Sequence, residues 1–174
     1  MKKGLVISLR GFVDFIPLIF LWSMPNHKGI LGAFISSFIL LIIKGLKKDV
    51  GIMVKVVFIY LAIINILYFN FNIEGILKER YITSYGVMAA MSFVSIKMYR
   101  PFTMDISKKD YKAIKDSPLF IEMNIIISKI FGVTYLINTI LSCFKKDFLS
   151  IISPILIIIP ILASIILPRF MPEI

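Results

Sequence analysis

GIMVKVVFIYLAIINILYFNF, residues 51–71, carries a single charge, Lys55, near its start. Its apolar side chains neither alternate nor recur at helical spacing; they run almost unbroken. A helix of a soluble domain keeps a polar face at a period of 3.6, and a half-buried strand alternates. A helix crossing a hydrocarbon core of ~30 Å needs about 20 mostly apolar residues. The stretch therefore reads as a transmembrane helix.

The same reading extends outward to residues 5–24, 29–43, 81–98, 118–144 and 148–167. The whole chain is 59% hydrophobic with a mean hydropathy of +0.92, beyond the near-half apolar content of soluble domains. Block 29–43 is short, but Lys44 can snorkel and Leu46 can extend it. Block 5–24 contains Asp14 and Pro17, so it is either a kinked crossing or a re-entrant hairpin. The expected fold is all-α: a multi-spanning transmembrane bundle of about six helices, or five if the first segment is re-entrant. These spans use nearly all of residues 1–174, which leaves one integral membrane domain. The basic start at Lys2 and Lys3 looks like a signal peptide. Asp14 interrupts its apolar run, and SMPNHKG after it has no small-x-small cleavage site, so the segment reads as retained.

Basic residues orient such a chain, because positively charged loops stay cytoplasmic. With the N-terminus inside, the inside segments hold Lys2, Lys3 and Arg10, then Lys44, Lys47 and Lys48, then the run from Lys97 to Lys115, then Arg169. The outside loops hold only Lys28, Lys78, Arg80, Lys145 and Lys146. Both termini are thus expected in the cytoplasm of a bacterial inner membrane. The net charge of +10 suits anionic lipid headgroups, each nearby basic residue adding about 1 kcal/mol. No nucleic-acid motif accompanies it.

Ionisable residues inside a membrane are functional candidates by default. Here they are Arg10, Asp14, Lys55, Glu122 and Lys129. Lys55 lies near the cytoplasmic end of its span. Glu122 sits in a first helical turn, where the dipole favours an anion. At 1.5 Å per residue, Asp14 is ~13 Å along the first span and Lys129 ~16 Å along the fifth. The shared depth predicts an Asp14–Lys129 pair, with Arg10, four residues from Asp14, as the rival partner. Such a pair is a bundle staple or a proton or ion relay.

Helices in lipid associate through small residues and interhelical hydrogen bonds. Gly32 with Ser36 and Gly86 with Ala90 are the expected close contacts. Asn124, Ser128, Tyr135 and Asn138 share one side of the fifth span, with Glu122 and Lys129 on the opposite side, which places that helix mid-bundle. Pro154 and Pro160 read as kinks in the sixth span.

The passage 99–117 reads as a cytoplasmic loop with a short interfacial helix. Pro101 ends the preceding span. Ser107 and Asp110 suggest a capping box for a helix over 107–115. Ser117 and Pro118 begin the next span. Arg100, Lys108, Lys109, Lys112 and Lys115 make this loop basic, fit to lie on headgroups or to dock a partner. No catalytic arrangement appears: His27 is the single histidine, placed in a tight loop, and Cys143 the single cysteine. No P-loop, HExxH, CxxC or GxGxxG occurs. Neither cofactor nor metal is expected.

Three pieces carry a resemblance: FVDFIPLIF at 12–20, KMYRPF at 97–102 and SPLFIEMNIIISKIFGVTYLINTI at 117–140. In this order they resemble the intracellular septation protein A family of small bacterial inner-membrane proteins. Pro118 and Asn124 stand at the family's Pro and Asn, and Phe120 where Trp is common. A closely related set of membrane proteins carries the RPFT found at 100–103. The resemblance implies a non-enzymatic role in envelope synthesis or cell division through contacts with other membrane proteins. The alternative is a small transporter or ion-coupled carrier using Asp14, Glu122 and Lys129. A homo-oligomer stays open. The charge pattern predicts that reporter fusions at Glu173 and within 72–78 fall on opposite sides of the membrane. A C-terminal fusion reporting from the periplasm overturns the orientation.

Overall fold

Unbroken apolar runs fold as helices because in lipid a backbone must satisfy its own hydrogen bonds. The computed structural model describes residues 2–108, 111, 115–144 and 147–170, and its described elements are helical. They are α1 (Lys2–Ser23), α2 (His27–Leu46), α3 (Ile52–Phe69), the single turn α4 (Gly75–Lys78), α5 (Arg80–Lys97), α6 (Phe102–Ser107), α7 (Pro118–Cys143) and α8 (Asp147–Ile166). Among the described residues α2, α3 and α7 are long and apolar enough to cross a membrane, with shorter apolar stretches at Gly11–Ser23 and Ile155–Ile166. α5 is less apolar. It carries Arg80 and Lys97 at its ends and buries Ser84, Ser92 and Ser95 against its neighbours. α1 runs continuously through Asp14 and Pro17, so the first segment is one helix and not a hairpin.

The long helices alternate in direction. Gly86 of α5 faces Thr139 of α7, and Ser92 and Phe93 face Gly132, an antiparallel register. Phe34 and Phe38 of α2 lie against Phe58 of α3, and Asn138 of α7 donates to the Ser153 carbonyl of α8. α1 packs along α2 and also reaches α3, α5, α6 and α8. One end of the bundle therefore gathers the α2–α3 turn, the α5–α6–α7 passage and most of the described lysines; it is called the basic end below.

The interior mixes an apolar cluster, Leu18, Leu21, Ile30 and Leu61 among its members, with buried polar groups, and the outside is rich in large apolar side chains. Buried side chains include Asp14, Ser37, Ser92, Ser128, Asn124 and Asn138, whereas Ile35, Phe38, Ile63, Val133, Ile140 and Ile158 are exposed. That distribution suits a membrane protein, whose outside is solvated by hydrocarbon. Of the expected packing pairs, Gly32 approaches Phe20 of α1, and Gly86 approaches Thr139. Ser36 bonds the Ala33 carbonyl of its own helix. Ala90 is exposed. α5 and α7 approach more closely at Gly132 than at Gly86, for an added Cβ at Gly132 lies 3.1 Å from Phe93 Cζ and 3.2 Å from Ser92 Cβ.

The α1–α2 turn is equally specific. Asn26 caps α2, its Oδ1 accepting from Gly29 N at 3.1 Å, so His27 opens the helix and is not a loop residue. An added Cβ on Gly29 overlaps the Met24 carbonyl oxygen, which a side-chain rotation cannot relieve. Gly29→Ala is expected to destabilise the bundle by about 1–3 kcal/mol, the range for overpacking that moves backbone. Gly32→Ala, whose nearest neighbour is a Phe20 ring carbon at 3.6 Å, is the matched control. Equal thermal midpoints in detergent for the two variants contradict the turn geometry.

Candidate functional site

The passage 99–117 does more than join two helices. Tyr99 adopts a left-handed conformation, φ 53°, and the Arg100 amide returns to the Ser95 carbonyl at 3.0 Å. Pro101 then starts α6 with φ −57°. The helix that forms is Phe102–Ser107, earlier than the one expected over 107–115. Ser107 ends a helix here, and Asp110 lies outside the described residues, as do Lys109 and Lys112. Nor does α6 lie on the surface. Phe102, Thr103 and Ser107 are buried, and α6 touches α1, α3, α5 and α7.

Hydrogen bonds fix α6 on three sides. Toward α7, the Thr103 hydroxyl donates to the Asn124 carbonyl at 3.0 Å and lies 2.9 Å from Ser128 Oγ. Ser107 Oγ is 3.1 Å from Asn124 Oδ1, and Asn124 Nδ2 donates to the Phe120 carbonyl at 2.8 Å. Toward α5, Ser95 Oγ accepts from Phe102 N at 3.2 Å. Toward α3, Asp105 Oδ2 accepts from Ile52 N at 2.9 Å, satisfying a first-turn amide that has no partner within its own helix. Its Oδ1 takes Lys108 Nζ at 2.8 Å, with Arg100 at 4.0 Å. Ser117 and Pro118 begin α7 as the sequence predicts, Ser117 Oγ accepting from Phe120 N.

The intramembrane charges fall differently from the expectation. Asp14 is buried and pairs with Lys44 of α2, not with Lys129. Lys129 and Glu122 are exposed on the outer surface of α7, and Lys55 is exposed one turn into α3. The side chain of Arg10 lies outside what the structure describes. Rotation about the helix axis decides the place of Lys129. The Asn124–Ser128–Tyr135–Asn138 face turns inward and carries Lys129 outward. Lys44 is nearer the basic end than Asp14, yet it reaches back because side chains on a helix lean toward its N-terminus.

Asp14, Lys44, Lys47, Asp49 and Asp105 line one cavity of about 370 Å³ at the basic end, walled by Phe102 and Ile106. A second cavity, of about 280 Å³, lies on the other side of the same two residues, between α1, α6, α7 and α8. α6 is thus a partition between a charged chamber and an apolar one. Toward the opposite end runs an aromatic column that the sequence reading missed. Trp22 meets Tyr81 and Tyr85, Tyr85 meets Tyr135, and Tyr135 meets Phe131 and Phe15. Tyr135 Oη and Asn138 Oδ1 have no hydrogen-bond partner among the described residues. Among those residues no group of three His, Cys, Asp or Glu side chains is placed to hold a metal ion. No family model, curated protein or solved structure matches this chain.

The two partners of the buried pair differ in escape. The Lys44 side chain keeps 19% of its surface exposed, against 3% for Asp14. Lys44→Met strands a buried carboxylate and is expected to cost ~3–5 kcal/mol, the usual loss on breaking a buried pair. Asp14→Asn leaves a lysine that can swing to the surface along its aliphatic stem and costs less. The double variant should recover most of the Lys44→Met loss. Thermal melts of the three proteins check this; additive losses in the double variant exclude the pairing.

Proposed function

We propose that the chain is a non-enzymatic protein of a bacterial cytoplasmic membrane, with both termini in the cytoplasm, that serves cell-envelope synthesis or septation by binding other proteins at its basic end. Tyr99 carries the reading. It holds an unfavourable left-handed conformation without being glycine, 80% of its surface is exposed, and exposed Met98 and Leu46 occupy the same end. Strain of this kind persists where surrounding structure over-determines it, and it gathers at functional positions. The α5–α6 junction provides that determination through the Arg100 amide and the buried Phe102. The result presents a tyrosine beside Arg100, the residue types that dominate binding hot spots. The resemblance noted at 12–20, 97–102 and 117–140 supports the envelope role.

The carrier reading keeps one supporting observation, the cavity that contains the Asp14–Lys44 pair. It loses the convergence it required, since Glu122 and Lys129 lie on the outer face of α7. A photoreactive amino acid at position 99 should capture a discrete protein in intact cells, and the same probe at Phe71, exposed at the opposite end, should not capture it. If position 99 yields only lipid adducts, Tyr99 is an interfacial anchor and the docking role fails.

A further inference from the structure

α2 and α5 both finish at the basic end, and they finish in the same way. After α2, Lys48 N donates to the Gly45 carbonyl and Asp49 N to the Lys44 carbonyl. After α5, Tyr99 N donates to the Ile96 carbonyl and Arg100 N to the Ser95 carbonyl. This paired closure puts the first residue past the helix cap in the left-handed region, a place usually given to glycine. Here the residues are Lys48, φ 51°, and Tyr99, φ 53°, and both are exposed. One strained device, used twice, displays a lysine and a tyrosine at the same end.

The two turns meet around Asp105. A Cβ on Gly51 lies 3.2 Å from Asp105 Cβ, Arg100 comes within 4.0 Å of Asp105 Oδ1, and Lys47 lines the charged chamber together with Asp105. The carboxylates of this end are already engaged. Asp14 holds Lys44, Asp105 holds Lys108 and the Ile52 amide, and Asp116 holds Lys115. Asp49 is engaged as well. Lys47, Lys48 and Lys97 are exposed and have no acidic partner among the described residues. The end therefore keeps a surplus of cations beside the exposed apolar side chains of Leu46 and Met98.

We propose that the partner is a protein that docks through an acidic, amphipathic segment, with one carboxylate meeting Lys47 at the charged chamber and others meeting Lys48 and Arg100. This rests on the docking reading above and names the chemistry of its partner. Charge complementarity selects the acid. The strained turns select a protein over lipid headgroups. A fluid headgroup layer is met equally well by lysines in any backbone conformation, so nothing in it requires Lys48 and Tyr99 to be left-handed. A folded partner, whose groups have fixed positions, does require fixed positions opposite them.

The test uses the full chain in intact cells, with the photoreactive residue at position 99. Lys47→Glu combined with Lys48→Glu should lower capture of the discrete protein about tenfold or more, because like charges facing across an interface oppose association. Lys78→Glu, an exposed lysine at the opposite end, should leave it unchanged. A carbodiimide, which forms an amide between a lysine amine and a carboxylate in contact with it, should link Lys47 or Lys48 to an Asp or Glu of the same captured protein. Lys48→Gly separates binding from folding: it should melt above the parent in detergent, since glycine suits the left-handed position, and still weaken capture. Undiminished capture in the double Glu variant, or no amide from either lysine, overturns the acidic assignment and leaves docking standing. Lipid adducts alone from position 99 of the parent overturn docking itself, and this assignment with it.

Discussion

The carboxylate of Asp105 ties the basic end together. It accepts the Ile52 amide at the start of α3 while Lys108 neutralises its other oxygen. α6 is only six residues long, too short to be stable by itself. It persists because its side chains complete structures belonging to other helices. Asp105 caps α3, Thr103 and Ser107 engage α7, and Ser95 of α5 receives the Phe102 amide. Gly51 belongs to the same arrangement. A Cβ there lies 3.2 Å from Asp105 Cβ, so the α2–α3 turn and α6 approach each other as closely as they do because position 51 lacks a side chain.

These contacts are made by serine, threonine, asparagine and aspartate because burial of apolar surface drives little association between helices already in hydrocarbon. Interhelical hydrogen bonds in membranes average about 0.6 kcal/mol each. The network around Asn124 therefore contributes modest stability and considerable geometry. It selects which face of α7 turns inward. Once Asn124, Ser128, Tyr135 and Asn138 are inside, Glu122 and Lys129 are committed to the outside, whatever their charge. α5 follows the same logic from the other side, offering Ser84, Ser92 and Ser95 to the interior and meeting Gly132 where α7 has no side chain.

Much of this was legible in the sequence. The long helices lie close to the expected apolar blocks, since hydrocarbon thickness constrains span length and little else competes. The inward stripe of α7 was legible from spacing, and the Ser117–Pro118 start from capping chemistry. Two of the readings that failed show why most clearly. The Ser107–Asp110 pattern suggested where a helix begins, but burial of Phe102 and the reach of Asp105 to α3 are long-range and favoured a helix that ends at Ser107. The partner of Asp14 was sought by depth across helices and by i,i+4 spacing within its own. Linear position reports depth well and rotation poorly, and Lys44 had been assigned to the surface because lysines near span ends usually snorkel. The aromatic column was missed because its members come from α1, α5 and α7, and no periodicity within one helix reveals a stack built across three.

The partition made by α6 constrains what the basic end can do. Phe102 and Ile106 face both cavities, so a movement of either side chain reshapes both chambers. Phe102 is also packed edge-to-face on Phe131, ring centres 5.5 Å apart, at the foot of the aromatic column. A displacement of Phe131 acts on Phe102, and through α6 on Asp105 and the first turn of α3. In the other direction, a change at the Asp14–Lys44 pair reaches the apolar chamber through Ile106. Coupling of this kind needs no relay of charge across the membrane. It needs one short helix with an apolar wall on one side, a charged wall on the other, and hydrogen bonds to α3, α5 and α7.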